Sequence, residues 1–570
     1  MNGMNMKFSD YKYERPDLEK ASAEFNKLLT KFDSANSVDE QLHCIKEINL
    51  LRSNFDTMFQ LASIRHSIDT KEEFYNQEQD YFDTNGPQFE ALTSKYYTAL
   101  VNSKFKNEIE DELGKQLFRI AEMQLKSFKP EIIPDLVKEN QLSTAYTELI
   151  AGASILFQGE ERTLAEMVPF TRSTDRNIRK SAAEARWKFL ADHADELDRL
   201  FDDLVKTRNT IASKLGFKNF VEVGYLRMLR SDYNAEMVAQ FRNEVLKQVV
   251  PLANQLREKQ SHRLGLDALK YYDEALMFSS GNAKPKGDPE WIISNGKKMY
   301  DDLSNETSEF FNFMLNRELM DLVAKKNKAI GGYCTYISGF KSPFIFSNFN
   351  GTSADIDVLT HEVGHAFQVF MSRDQETSEY YWPTSDAAEI HSMSMEYFAY
   401  PYMDLFFNGE AEKYRYSHLV DSILFLPYGV SVDEFQHGIY ENPEMSPAER
   451  NQLWRSIEKK YLPQKNYEDN SYLNNGGWWQ TQGHIYQSPF YYIDYTLAQM
   501  CAFQFWFKAQ KKRPEALNDY IRLCKAGGSK SFLELVEYAN LKSPFDRGNF
   551  TEIITELGEY LEKVDEGGFK

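Results

Sequence analysis

The residues best suited to chemistry lie close together, in the segment His361-Glu-Val-Gly-His365. On an α-helix, residues four apart lie on one face, so the two imidazoles can converge on one ion while Glu362 projects beside them. Two neutral imidazoles and a carboxylate suit zinc and leave a position for water, and a nearby carboxylate can take the proton of that water. The spacing therefore predicts metal-assisted hydrolysis, with Glu362 as the general base.

Chance is a poor explanation of this motif. With 10 histidines and 86 acidic residues in a chain of 570, about 0.03 accidental matches are expected. The alternative is a helix whose histidines are merely core or surface residues. That alternative stays open only because some relatives of active enzymes have lost their activity.

A third metal ligand has to come from elsewhere in the chain. The extended pattern H-E-x-x-H-x-x-G-x-x-H requires Gly at 368 and His at 371, where this chain has Gln368 and Met371. Downstream, Glu389 and Glu396 lie seven residues apart, which is two helical turns, so they share a face. Apolar neighbours such as Ile390 indicate a buried helix, in which a carboxylate needs a partner. We expect one glutamate to ligate the metal and the other to support an imidazole.

Composition excludes several classes of protein. The 66 Lys and Arg against 86 Asp and Glu give a formal charge of −20, which argues against a nucleic-acid binder. A hydrophobic content of 42% is ample for a packed core. No run approaches the roughly 18 apolar residues of a membrane span, and the four cysteines form no C-x-x-C pair. We expect a soluble cytoplasmic protein with reduced thiols, and with no nucleic-acid or membrane partner.

The sequence predicts that the elements positioning the catalytic groups are mostly helices. The first 270 or so residues carry few Gly or Pro and show helical spacing, clearest in Leu204, Val205, Ile211, Ala212 and Leu215. Glycines and prolines in 279–296 predict a loop or boundary. Aromatic and β-branched residues between turn residues in 331–350 suit two short strands or a hairpin. Helical periodicity then returns to the end of the chain.

The motif His361-Glu-Val-Gly-His365, followed by Glu389-x-x-Ser-x-x-x-Glu396, resembles the zinc metallopeptidases of the thimet oligopeptidase and oligoendopeptidase F family, particularly its bacterial Pz-peptidase-like branch. The resemblance extends over most of the chain, including the segments 208–217, 349–355, 436–443 and 476–495. It implies a mainly α protein, with two helical lobes around a deep substrate channel and a small β-sheet beside the H-E-x-x-H zinc helix. We expect a largely helical N-terminal lobe at 1–200 and a catalytic region with the zinc helices and the sheet at 201–570.

Carried over residue by residue, the resemblance implies one zinc ion per chain, bound by His361, His365 and Glu389. It also implies that Glu362 activates the attacking water. The family uses a histidine and tyrosines in the late segment to contact substrate and stabilise the oxyanion. Such donors are needed because negative charge develops on the former carbonyl oxygen.

The late segment offers several candidates for these donors. Tyr495 is the first choice to donate to the oxyanion, Tyr492 to present a substrate-facing hydroxyl, and His484 to contact a backbone carbonyl. The assignment among Tyr486, Tyr491, Tyr492 and Tyr495 stays open, and Tyr491 is retained as a substrate-binding candidate.

A strand next to the zinc helix is expected to bind the substrate main chain. The segment 344–350 has two interpretations: an edge strand that pairs with an extended peptide, or an ordinary strand within the sheet. Phe346 and Asn348 in this segment, and Gly351 after it, are the candidate contact positions. Asp357, one helical turn before His361, either orients that imidazole or is a first-turn acid stabilised by the helix dipole.

Together these features predict a zinc-dependent oligoendopeptidase that hydrolyses short peptides. One alternative is a zinc carboxypeptidase or dipeptidyl carboxypeptidase that trims peptide termini, which requires a cation near the cleft to hold the terminal carboxylate. Another is a non-catalytic peptide-binding scaffold, for which Glu362→Gln changes nothing. Cobalt or manganese also suit the ligand set. The sequence leaves a monomer and a homo-oligomer equally open.

Overall fold

Helices dominate the computed structural model, which describes residues 6–564 and 566–569. Side chains of Asp17 and Ser37 accept hydrogen bonds from the first-turn N–H groups of the first two helices and so define their starts. Helices α1 to α5 bury a hydrophobic core of their own, which Tyr380 from the rest of the chain completes. The first six helices are α1 Leu18–Ser34, α2 Val38–Ile68, α3 Glu73–Val101, α4 Lys106–Leu113, α5 Lys115–Ser127 and α6 Ile133–Ala151.

A second group of helices follows and belongs to a larger core. The helical spacing in 204–215 lies on α9, which ends at Gly216 in the left-handed conformation, with φ of 91°. Of the predicted loop at 279–296, only the part before Pro289 is irregular. These helices are α7 Val168–Thr171, α8 Arg176–Asp192, α9 Ala194–Leu215, α10 Phe220–Arg227, α11 Ala235–Glu244, α12 Val250–Arg263, α13 Pro289–Leu303 and α14 Asn305–Asn316.

The remaining helices complete this larger core and include the two that carry the candidate metal ligands, α15 and α16. Both pack against the long α22. The helices are α15 Ala354–Ser372, α16 Ser385–Phe398, α17 Asp404–Phe407, α18 Ala411–Glu441, α19 Pro447–Tyr461, α20 Ser471–Asn474, α21 Gly483–Gln487, α22 Tyr492–Ala526, α23 Phe532–Tyr538 and α24 Arg547–Glu562.

Two small sheets accompany the helices. A hairpin is formed by β1 Ile155–Phe157 and β2 Glu160–Arg162. The other sheet has three strands, β3 Met320–Val323, β4 Tyr333–Ile337 and β5 Ser342–Phe349, in the order β3-β5-β4. In it β3 runs parallel and β4 antiparallel to β5, and α15 packs against β5 and β4. A mainly α fold with a small sheet beside the H-E-x-x-H helix is therefore confirmed.

Of the two interpretations of 344–350, the ordinary sheet strand is confirmed and the edge strand is wrong. This segment lies in β5, the central strand, because β3 pairs with the side of β5 that does not face β4. Phe346 pairs with Tyr333 on one side and Asp321 on the other, so its main-chain groups are used within the sheet. The edge strands of this sheet are β3 and β4.

One glycine allows the two ligand-bearing helices to approach closely. A Cβ atom on Gly364, in the middle of α15, would lie 2.6 Å from the Cα of Ser392 and 2.7 Å from the carbonyl oxygen of His391 on α16. Real Cβ atoms essentially never make contacts this short. Only glycine permits this contact between α15 and α16.

No helix in residues 6–564 and 566–569 is long and apolar enough to cross a membrane. The four cysteines are free thiols, three of them buried. A cavity of about 780 Å³ lies between the N-terminal helices α2, α3 and α6 and strand β4. The division of the chain at residue 200 stays a prediction, since α1 to α5 have a separate core but share it with Tyr380.

Candidate active site

Helices α15 and α16 bring the three predicted metal ligands together. The Nε2 atoms of His361 and His365 lie 3.2 and 3.3 Å from Oε2 of Glu389. One ligand atom from each residue falls within 4.8 Å of the others, and the carboxylate of Glu389 is buried. Two imidazole nitrogens and one carboxylate oxygen are a donor set that suits zinc.

Glu396 orients the first of these imidazoles. The Nδ1–H of His361 donates to Oε1 of Glu396 at 2.7 Å, which leaves Nε2 for a metal. The second oxygen of Glu396 accepts from Nε2 of His418 at 2.6 Å, and the hydroxyl of Tyr400 lies 2.7 Å from Nδ1 of His418. Of the two glutamates seven residues apart, Glu389 therefore lies beside the Nε2 atoms of both imidazoles, and Glu396 hydrogen-bonds to the opposite nitrogen of His361.

His418 was not singled out from the sequence. It lies on α18, and no local spacing connects it to Glu396. Asp357 does not orient His361, because its carboxylate accepts from the hydroxyl of Tyr414 at 2.6 Å. Burial raises the pKa of Asp357 to about 6.

Glu362 lies beside the paired imidazoles with one oxygen unsatisfied. Its Oε2 is buried and has no hydrogen-bond partner among the described residues. Burial raises the pKa of Glu362 above its usual range, and the neighbouring histidines lower it in part. A Cβ atom on Gly332, just before β4, would lie 3.1 Å from Oε1 of Glu362, so this carboxylate is next to the free edge of the sheet.

The late aromatic residues reach the site from α21 and the start of α22. Tyr491 donates its hydroxyl to Oε1 of Glu389 at 2.5 Å, so it orients a candidate metal ligand. The ring of Tyr495 lies 6.4 Å from that of His361, and its hydroxyl is 3.2 Å from Nε2 of His484. The ring of Tyr492 lies 5.2 Å from that of His484 and 5.4 Å from that of Tyr495, and it packs at right angles to Tyr428.

The structure distinguishes among the four late tyrosines. Tyr486 is fully buried and stacks on Tyr146, away from the metal ligands. Tyr491 hydrogen-bonds to Glu389, whereas Tyr495 has its hydroxyl beside His484 and its ring 6.4 Å from that of His361. Burial lowers the pKa of His484 to about 4, so its imidazole is neutral near pH 7.

Two predicted substrate contacts next to β5 are used within the protein. The side-chain amide of Asn348 donates to the carbonyl oxygens of Ala329 and Gly331 at 2.8 and 2.9 Å. The N–H of Gly351 donates to Oδ2 of Asp355 at 2.8 Å. Phe346 lies in the central strand, and the contacts of Asn348 and Gly351 hold the loops next to β5 and α15.

The outer edge of β4 pairs with no other strand in the part of the chain that the structure describes. The N–H of Ile345 donates to Leu319 O at 3.0 Å, so Ile345 faces β3 and its neighbours in β5 face β4. By the same alternation, Cys334 and Tyr336 direct their N–H and C=O groups away from β5. The cavity of about 780 Å³ begins at this edge, and Trp382 in its wall lies 6.3 Å, ring to ring, from His365.

Two buried arginines hold the aromatic segment, and sequence reasoning missed them. Arg208 donates to the carbonyl oxygens of Ile485 and Tyr486 on α21, and to Glu139 on α6. Arg230 donates to Phe490 O at 2.5 Å. Arg208 belongs to a segment quoted for the family resemblance, but nothing in its local pattern indicated these contacts.

Phe490 shows why such anchoring is needed. Its φ of 68° is unusual for a residue with a side chain, and it directly precedes Tyr491. Its carbonyl accepts from Arg230, and its N–H donates to the side chain of Gln436 at 3.0 Å. These two buried partners fix the strained turn from which the tyrosines of α22 project.

Comparisons with known proteins match most of this chain to one family. A model of the peptidase M3 N-terminal domain matches residues 8–128, and a model of peptidase family M3 matches residues 170–285 and 297–552. The oligopeptidase PepF of Bacillus subtilis (strain 168) is 22% identical over 93% of this chain and 82% of its own length.

Solved structures give the same result for the fold. A structure of Pz peptidase A with inhibitor 2 is 58% identical, with a TM-score of 0.98 over 98% of this chain and 100% of that chain. Oligoendopeptidase F from Enterococcus faecium is 14% identical, with a TM-score of 0.62 over 96% of this chain and 97% of that chain. The second comparison concerns the fold alone.

Proposed function

The chain belongs to peptidase family M3, and we propose that it is a zinc-dependent oligoendopeptidase with Glu362 as general base. Members of this family are metallo-oligopeptidases that act on peptides. The observation that carries the proposal is the convergence of His361, His365 and Glu389, with the unsatisfied oxygen of Glu362 beside them.

The donor set supports zinc as the metal. His361, His365 and Glu389 would hold the ion through two nitrogens and one oxygen, the combination of a catalytic site that keeps a coordination position open. When bound, zinc supplies a Lewis acid that polarises the scissile carbonyl and acidifies water. Glu396 and Tyr491 orient the ligands through their hydrogen bonds to His361 and Glu389.

Glu362 carries the proton through the reaction. Its buried carboxylate takes a proton from the attacking water and delivers it to the nitrogen of the leaving amine. The raised pKa of Glu362 favours this role, because a more basic carboxylate accepts the proton more readily. The absence of a fixed partner on Oε2 among the described residues leaves that oxygen free for water.

Tyr495 is proposed as the donor to the oxyanion. The side-chain amide N–H of Gln482 donates to Nδ1 of His484 at 2.8 Å, and Tyr428 donates its hydroxyl to the amide oxygen of Gln482. The neutral imidazole of His484 then carries its proton on Nε2 and donates it to the phenol oxygen of Tyr495. The hydroxyl hydrogen of Tyr495 is left for the carbonyl oxygen of the substrate.

Strand β4 is proposed to bind the peptide main chain. A substrate strand added antiparallel to its outer edge would pair with Cys334 and Tyr336 and place a peptide bond near Glu362. Main-chain pairing gives affinity with little dependence on side chains. This places on β4 the function that the sequence had assigned to the segment 344–350.

Metal analysis combined with a peptide digest tests the proposal. The purified chain is expected to hold one zinc per molecule and to cut internal bonds in a mixed-length peptide library, as read by mass spectrometry. A chelator should stop all cleavage and added zinc should restore it. Cleavage that survives complete metal removal would refute the proposal, as would a metal-loaded protein that cuts no peptide.

A further inference from the structure

A chain of hydrogen bonds leads away from the ring nitrogen of His484 that does not face Tyr495. This nitrogen, Nδ1, lies 2.8 Å from the side-chain nitrogen of Gln482, and the amide oxygen of Gln482 lies 2.9 Å from the hydroxyl of Tyr428. Burial raises the pKa of Tyr428, and a hydrogen bond from the side chain of Trp478 offsets part of this rise. The chain of hydrogen bonds therefore extends from the hydroxyl of Tyr495 to the indole of Trp478.

The indole sets the direction of this chain. An indole N–H can only donate, so the hydroxyl of Tyr428 accepts from Trp478 and keeps its own hydrogen to donate. Tyr428 gives that hydrogen to the amide oxygen of Gln482, which turns the NH₂ group of the amide towards Nδ1 of His484. The reverse orientation of the amide would direct its N–H groups at Tyr428 and remove the acceptor of the phenol hydrogen. Each hydrogen bond in the chain therefore points towards His484.

Packing holds the indole of Trp478 in place. Its ring centroid lies 4.6 Å from that of Trp187 on α8, and Nζ of Lys465, in the loop before α20, lies 3.8 Å from the centroid of its ring. Both tryptophans pack against a small buried cluster that is separate from the larger core. An aromatic neighbour and a cation over the ring favour one orientation of the indole. The first donor of the chain is therefore fixed by elements that carry no metal ligand.

The direction matters because a neutral imidazole carries a single N–H proton. With Nδ1 of His484 accepting from Gln482, this proton is on Nε2 and is donated to the hydroxyl oxygen of Tyr495, 3.2 Å away. Tyr491 does not replace this donor, since its one hydroxyl hydrogen is given to Glu389. With the proton on Nδ1 instead, Nε2 would accept the hydrogen of Tyr495 and hold it back from the substrate.

We propose that Trp478, Tyr428 and Gln482 are positioning residues that fix the tautomer of His484 and so keep the hydroxyl hydrogen of Tyr495 for the substrate. The inference rests on the proposed peptidase function and on the role of Tyr495 within it. It adds three side chains that act on the reaction only through His484. Altering a partner of this kind, which orients a functional group without touching the substrate, costs about 10- to 100-fold in activity.

Two substitutions of Gln482 separate the direction of the hydrogen bonds from packing. Gln482→Glu keeps the shape of the side chain and its bond with Tyr428, but a carboxylate only accepts and so draws the proton of His484 to Nδ1. Gln482→Met fills the same space and leaves the tautomer free. At about pH 8.5, where imidazoles are neutral, kcat should fall about 10- to 100-fold in Gln482→Glu and less in Gln482→Met, with little change in KM. A purely structural role predicts the opposite order, and that order overturns the inference.

A double-mutant cycle shows whether the effect passes through Tyr495. In a Tyr495→Phe background there is no hydroxyl hydrogen to hold back, so adding Gln482→Glu should lower kcat by about twofold or less. A further fall of about 10- to 100-fold in that background refutes the inference. Gln487→Glu, which adds the same charge at an exposed position of α21, is the matched control and should keep the wild-type kcat. Thermal melting and zinc analysis show that each variant is folded and loaded with metal.

A spectroscopic measurement separates this inference from the peptidase function. Nitrogen NMR shifts of labelled histidines distinguish a protonated ring nitrogen from a bare one, and the signals of His484 are identified by their loss in His484→Asn. The wild type should be protonated on Nε2 and Gln482→Glu on Nδ1. Protonation of Nδ1 in the wild type refutes the inference whether or not peptides are cleaved. Protonation of Nε2 in a wild type that cleaves no peptide counts against the peptidase function alone.

Discussion

The substitution Gly364→Ala tests the contact on which the ligand geometry depends. The added Cβ atom would lie 2.6 Å from the Cα of Ser392, whereas ordinary contact begins at 3.4 Å, so the helices must separate locally by about 0.8 Å. Both atoms met on α16 belong to the backbone, which cannot rotate aside. Metal sites hold ligand distances to about 0.2 Å, so the shift is about four times the tolerance.

We expect this variant to lose zinc affinity more than stability. Displacing Glu389 from the imidazoles should weaken zinc binding at least about 10- to 100-fold. Overpacking costs about 1–3 kcal/mol, and alanine recovers about 1 kcal/mol of helix propensity, so the free energy of unfolding should fall by about 0–2 kcal/mol. Zinc affinity is measured by competition with a chromogenic chelator, and stability of the metal-free protein by urea unfolding.

The helical glycine Gly558 provides the control. A Cβ atom there, on α24, would meet no atom within 4 Å, so Gly558→Ala should leave zinc affinity unchanged and stabilise the chain by about 0.5–1 kcal/mol. Wild-type zinc affinity in Gly364→Ala would refute the argument that this glycine sets the distance between α15 and α16.

Two further predictions concern Tyr495 and a buried ion pair. Tyr495→Phe should lower kcat about 10²- to 10³-fold with little change in KM, because its hydroxyl acts on charge that exists only in the transition state; a rise in KM alone would contradict this. Burial would raise the pKa of Glu139, but Arg227 and Arg208 lower it to about 2. The charged Glu139 therefore stabilises the folded protein fully above about pH 4.5, and this contribution is lost as the pH falls towards about 2. Over that pH range the free energy of unfolding, measured by urea titration, should fall by up to about 3 kcal/mol more in the wild type than in Glu139→Gln. Equal falls in the two proteins would refute the linkage.

Local periodicity explains why much of the site was readable from the sequence. His361 and His365 are one helical turn apart, and Glu389 and Glu396 are two turns apart on the next helix, so their relative directions follow from helix geometry alone. The helical class and the small sheet followed from periodicity and turn residues in the same way.

Contacts between distant elements explain the rest. The place of β5 depends on pairing with β3, a four-residue strand too short to stand out in the sequence. The hydrogen bond between His418 and Glu396 joins different helices, and no spacing encodes it.

The central claim is that Glu362 moves the proton at a metal site built by His361, His365 and Glu389. Its most direct test is the Glu362→Gln variant, which keeps the size of the side chain and removes the base. We predict one zinc per chain, as in the wild type, with peptide cleavage abolished. Undiminished cleavage by this variant would contradict the account.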